Sequence, residues 1–236
     1  MKREHFIFND IHSKDLNIVV LEGPPSEINT EEYEEVKIEG RNGALIINND
    51  TYPNLIKRFK VSILVEDSEE IYNIQECITD WLFNINNNKL IYDNKDKYYL
   101  VKKVITGDIF TNFDNLGDFT IEFICEPFKY LLGEYHIELE NNSNIYYTGT
   151  VSGEPNIKIY GTGNIQLTIN NETVQINNVN EYVELDSKLL LCLNKNKTSK
   201  TRDMIGHFPL LTRGSNAISW TGNVYKVEIL PRTAYR

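Results

Sequence analysis

Apolar and polar side chains alternate with a period of two along much of the chain, between short clusters of turn residues. Phe59, Val61, Ile63 and Val65 fall on one face of the run from Arg58 to Val65. Phe119, Ile121, Phe123 and Cys125 do the same from Asp118 to Cys125. Successive strand side chains point to opposite faces, so this pattern predicts sheets with one packed side. Tyr98 to Val101 and Val104–Ile105 add a β-rich stretch between them. One segment breaks the period. Ile71, Ile74, Ile78, Trp81, Leu82 and Ile85 recur every three or four residues, the apolar stripe of an α-helix over about 68–86. Asp67 or Ser68 is its expected N-cap, Glu69 and Glu70 suit the positive end of its dipole, and Asn86 to Asn88 end it.

The second half reads as short strands only. Ile157 to Tyr160 lead into Gly161-Thr162-Gly163-Asn164, and Ile165 to Ile169 alternate strictly. Asn170-Asn171-Glu172 predicts a turn, and Thr221-Gly222-Asn223 predicts a hairpin that places Trp220 at a strand end. Strands at this spacing with Gly and Asn turns predict a β-sandwich. The expected fold is mainly β. Residues 1–132 form a β-rich domain with one helix, and residues 133–236 form a sandwich. Gly23 to Tyr33 and Asn194 to Arg202 are expected as solvent-facing loops. One acidic and the other basic, they offer a second reading as segments that meet between protomers.

Composition narrows the function classes. The chain has 236 residues, 34 acidic and 24 basic, for a net charge of −10. Hydrophobic content of 41% excludes a disordered chain, and the acidic balance argues against a general nucleic-acid binder. No apolar run reaches the ~20 residues that span a bilayer, and Phe6-Ile7-Phe8 is too short for a signal-peptide core. Cys77, Cys125 and Cys192 lie far apart, which predicts buried reduced thiols in a reducing cytoplasm. The four histidines form no metal-binding spacing. Gly161-Thr162-Gly163 lacks the third glycine and the following helix of a phosphate loop. No nucleophile elbow occurs, and the clustered Glu31, Glu32, Glu34 and Glu35 suit solvent better than acid–base work. The expectation is no enzyme activity, no cofactor and no metal. Trp220, Tyr146 and Tyr147 are the candidate sugar or partner contacts, since aromatic rings with a polar tip serve both uses.

Several segments carry a family resemblance. Phe6-Ile7-Phe8-Asn9-Asp10-Ile11-His12-Ser13 resembles the opening strand and turn of the phage distal tail protein family, with Asp10 where glycine is usual. Val36 to Gly43, with Asn42 in place of the common aspartate, resembles a second motif. Trp81-Leu82, Leu90 to Asp93 and Tyr98-Tyr99 follow in the family's order. Phe119 to Phe128 resembles the strand that closes the first domain. Gly149, Pro155 to Ile159 and Gly206 to Asn216 resemble motifs of the second. The resemblance implies a baseplate hub at the virion tail tip of phages and prophages of Gram-positive bacteria, made in the host bacterial cytoplasm. It implies a ring-forming N-terminal domain, a galectin-like C-terminal sandwich and a homohexamer. The implied partners are other copies of the chain, the tail tube protein, a tail-associated lysin or fibre protein, and a receptor-binding protein. The alternative is a carbohydrate-binding adhesin that attaches the phage to the host cell wall.

Overall fold

The computed structural model describes residues 5–64, 70–107, 110–111 and 116–236. The chain divides into two compact units, residues 1–129 with Arg236, and residues 130–235. Among the described residues the fold is mainly β, with one α-helix and antiparallel sheets, as the alternation predicts.

The first unit is built on one large sheet. Its strands run in the order Ile11–His12, Ile7–Phe8, Lys89–Ile91, Lys97–Thr106, Leu116–Leu131, Leu55–Leu64 and Ile18–Glu22. Phe59 pairs with Ile121 and Val61 with Phe119, so the two alternating runs share one register and one packed face. Phe59, Val61, Ile63, Ile121 and Phe123 are all buried there, while Val65 lies outside the described residues. The α-helix spans Glu70–Phe83. Its expected caps Asp67 and Ser68, and Glu69, also lie outside the described residues.

Ile78, Trp81 and Leu82 bury that helix against the core of the first unit. Each such side chain contributes about 1.5–3 kcal/mol. Trp81 does more than fill space. Its indole Nε1 donates to the Phe8 carbonyl at 2.8 Å, and its ring stacks on Phe6 with centroids 5.6 Å apart. The helix is thereby tied to the chain's first strand.

The second unit is a β-sandwich-like layer pair around its own core. Two long strands, Asn156–Ile169 and Gly214–Leu230, pair along most of their length. The first half of Asn156–Ile169 also pairs with Tyr182–Asp186, and its second half pairs with Glu172–Val179. Bulges at Tyr160/Gly161 and between Thr162 and Gln166 bend the pair. Ile157 and Ile159 before the bend thus join Ile165, Leu167 and Ile169 after it in one core.

The expected hairpin at Thr221-Gly222-Asn223 is absent. These residues lie inside the continuous strand Gly214–Leu230. Their glycine serves the bulge instead of a turn. Gly222 has φ +97, and a Cβ there would meet the Asn164 carbonyl oxygen at 2.5 Å. A Cβ on Gly161 would meet the Asn223 carbonyl oxygen at 2.3 Å. Glycine at a bulge lets two backbones approach where a side chain would hold them apart. The turn at Asn170-Asn171 is present, with Asn170 at φ +54 and Ile169 opposite Glu172.

Candidate functional site: interaction surfaces

The opening motif shows how local chemistry sets up the first unit. Asn9 and Asp10 form the two-residue turn between Ile7–Phe8 and Ile11–His12, with φ +50 and +61. Two left-handed residues define the hairpin turn that favours Asn followed by Gly, which explains why glycine suits position 10. Asn9 also closes the C-terminus of the helix from far along the chain. Its Nδ2 donates to the carbonyls of Trp81 and Asn84, each at 3.0 Å. Its Oδ1 accepts from the amides of Asn86 and Asn87, each at 2.9 Å. All four hydrogen-bonding positions of the amide are used.

The three aromatic candidates do not converge. Tyr147 is core: it is 2% exposed, its hydroxyl donates to the Val151 carbonyl at 3.0 Å and accepts from the Ala234 amide at 2.9 Å. Burial pushes that phenol up to about 12. Gly149 and Gly153 lie against its ring, where a Cβ would come within 2.4 and 2.6 Å. This contact gives Gly149 of the second-domain motif its physical reason. Tyr146 points the other way and is 75% exposed. Trp220 is half-buried against the core of the second unit. Tyr146 pairs with Ser215, five residues from Trp220 along the same strand, which is about 17 Å at ~3.4 Å per residue. Residues 215 and 220 also fall on opposite faces of that strand. The alternation that buries Tyr147 is the signal that separates it from its neighbour.

The basic stretch Asn194 to Arg202 is consumed within its own unit. Lys195 pairs with Glu181, Lys197 with Glu184, and Lys200 with Asp203 at 2.5 Å. Its lysines are therefore already neutralised, which weighs against a role between protomers.

Among the described residues, every carboxyl with a clearly shifted pKa is displaced away from that of a poised acid. A glycoside hydrolase holds one carboxyl protonated near neutral pH. Here Asp93, Glu184, Asp186 and Glu228 all move the other way. At each, burial pushes the carboxyl up, but hydrogen-bonded partners outweigh it. Those partners are Lys129 and Tyr99 for Asp93, Lys197 for Glu184, Arg232 for Asp186 and Lys226 for Glu228. No group of three or more potential metal ligands occurs among the described residues. Of the cysteines, Cys125 and Cys192 are buried, and burial pushes their thiols up to about 12 and about 11. Cys77 departs from expectation: it is exposed on the polar side of the helix, beside the buried Ile78.

What the first unit does offer is an exposed hairpin that the period-two alternation does not reveal. Tyr33–Val36 and Leu45–Asn48 form a separate two-stranded sheet in which all eight residues are exposed. The segment leading into it is pinned. Buried Asn29 donates to the carbonyls of Pro53 and Pro127, each at 3.0 Å. Glu27 pairs with Lys57, whose side chain is only 2% exposed, at 3.3 Å. The base is closed by the Glu32 amide on the Thr51 carbonyl at 2.9 Å and the Asn49 amide on the Glu32 carbonyl at 3.0 Å. The signal for it lies in Leu45-Ile46-Ile47, an apolar run too short to bury a layer by itself.

The comparisons agree with this architecture. Residues 11–125 match the phage tail protein RIFT-related domain. No curated protein matches the chain in sequence. The crystal structure of the Dit protein of phage SPP1, a paradigm of the hub adsorption apparatus in phages infecting Gram-positive bacteria, superposes with a TM-score of 0.73. That match has 13% identity and covers 97% of this chain and 98% of that one. A chain of the activated phage P2 baseplate with Ca matches 97% of both chains at 10% identity, with a TM-score of 0.49. Residues 11–125 are thus similar to the phage tail protein RIFT-related domain, and the chain as a whole shares its fold with the SPP1 Dit protein.

Proposed function

We propose that this protein is a structural component of a phage tail tip, a baseplate hub whose copies close into a hexameric ring between the tail tube and the tip proteins. The end-to-end likeness of fold to a hub adsorption protein is the observation that carries this reading. The RIFT-related domain in residues 11–125 supports it independently. In this reading the first unit forms the ring, and the second is a galectin-like sandwich facing outward. The partners are the tail tube protein on one side and a tail-associated lysin, fibre or receptor-binding protein on the other. The protein itself is not an enzyme; the downward-shifted carboxyls and inert buried thiols fit that role. A ring that holds its shape relies on covered apolar surface and paired strand edges. Virions assembled in the host cytoplasm would carry it at the tail tip. Size-exclusion chromatography with light scattering on the full chain tests the reading: a hexamer mass is expected, and a single-chain mass at every concentration overturns it.

The exposed Tyr146 supports a second reading, an outward sandwich that contacts cell-wall sugar or a neighbouring tail protein. A glycan array with cell-wall polysaccharide separates the two: retention abolished by Tyr146→Ala supports sugar contact, and no retention removes it.

A further inference from the structure

We propose that the hairpin Tyr33 to Asn48 is the arm by which one copy of this chain grips the next, seated on the lysine-rich ribbon Lys89 to Lys103 of its neighbour. The inference deepens the ring reading and rests on it.

The arm has apolar side chains on both faces. From its register, Tyr33, Glu35, Ile46 and Asn48 share one face, and Glu34, Val36, Leu45 and Ile47 share the other. Ile46 is 60% exposed and Ile47 45%. A strand that is apolar on both sides belongs between two layers, and a lone two-stranded ribbon is marginally stable in water. Yet the base of this arm is fixed by buried Asn29, by Glu27 on buried Lys57 and by the Glu32–Thr51 contacts. A rigid root under an uncovered apolar blade points to a cover supplied by another chain.

Charge identifies the cover. Glu27 is already paired with Lys57; from Glu31 to Arg41 the arm and its root carry five glutamates against Lys37 and Arg41, so 2 − 5 = −3. In a chain of net charge −10, the ribbon from Lys89 to Lys103 carries five lysines against Asp93 and Asp96, so 5 − 2 = +3. Asp93 is already bonded to Lys129 at 2.7 Å. Lys95, Lys102 and Lys103 of the ribbon are exposed. The other lysine-rich stretch, around Lys195 to Lys200, is closed on carboxylates of its own unit. A head-to-tail ring needs two different, complementary faces on each copy. An acidic arm and a basic ribbon in the same unit supply such a pair, and opposite potentials steer and register it.

Charge reversal on the full chain tests the contact. Glu34→Lys/Glu35→Lys reverses the arm, and Lys102→Glu/Lys103→Glu reverses the ribbon. Circular dichroism on each variant confirms the fold. Each variant alone is expected to associate at least about tenfold more weakly than the unaltered chain, since like charges then face each other. Mixing the two is expected to restore assembly, because alternate copies again present opposite charges at every joint. Ile46→Asp/Ile47→Asp is expected to weaken association without rescue by either variant. If the charge-reversed variants assemble as well as the unaltered chain, the arm–ribbon contact is wrong while the ring stands. If the variants lose assembly but mixing restores nothing, the arm grips a different surface and the ribbon assignment is overturned. If the unaltered chain never leaves the single-chain state, ring and arm fall together.

Discussion

Arg232 holds Asp186 with both arms of its guanidinium, Nη1 to Oδ1 at 2.6 Å and Nη2 to Oδ2 at 2.7 Å. The same carboxylate accepts from the amides of Lys188 and Leu189 at 3.1 and 2.9 Å. It therefore fixes the turn after Tyr182–Asp186, where Leu190 sits at φ +54. Bidentate, charge-assisted geometry of this kind is stronger and more directional than an ordinary surface pair.

That contact predicts an acid limit to stability. Burial by itself would raise the Asp186 carboxyl. The Arg232 guanidinium and the Leu189 amide overcome this and lower it from its ordinary 3.8 to about 2. A carboxyl depressed by folding contributes stability that is fully present above the unfolded value and is lost as pH falls through the folded one. Denaturant titrations are expected to show a loss on the order of 1–2 kcal/mol between about pH 4 and pH 2. Asp186→Asn is expected to flatten that part of the profile. An unchanged pH dependence in the variant would remove Asp186 as its source.

Asn9 makes a second prediction. Asn9→Ala leaves two carbonyls and two amides at the end of the helix without their partner. Unpaired, partly buried polar groups cost about 1–3 kcal/mol. Urea unfolding of the variant is expected to show a destabilisation of about 2 kcal/mol, and a midpoint equal to that of the unaltered chain would refute the cap.

The Tyr147 pocket makes a third. Gly149→Ala drives a methyl into the phenol ring, which is held by hydrogen bonds on both sides. A loss of about 1–3 kcal/mol is expected, typical of overpacking. Tyr147→Phe in the same background separates the two effects: the clash persists while the hydroxyl's contacts go. A fully stable Gly149→Ala chain would mean that the ring has room to move.

Thiol reactivity checks the burial pattern. With the native chain, a maleimide is expected to label Cys77 alone, because Cys125 and Cys192 are buried with raised thiols. Labelling of Cys125 or Cys192 at the same rate, read by peptide mapping, would contradict the packing of both cores.

Much of this fold is legible in the chain. Strict alternation at Phe59 to Ile63 and Phe119 to Cys125 exposes the first sheet, and the three-to-four spacing from Ile74 to Leu82 exposes the helix that covers it. Non-local pairings are harder. Nothing near Asn9 announces that its amide closes a helix more than seventy residues away. Gly161 and Gly222 resemble turn glycines locally, but each meets the backbone of a paired strand, so they are bulge residues. Adjacent Tyr146 and Tyr147 look alike in sequence, yet strand pleat sends one to solvent and the other to the core. The arm is the least visible feature. Its apolar run carries the pattern of a buried strand, yet all four residues of Leu45–Asn48 are exposed.

Negative-stain electron microscopy of the purified full chain, with copies counted around the particle axis, tests the hub reading most directly. Closed hexameric rings with an open centre are the expected result. A uniform field of single chains, or open filaments that never close, would contradict it.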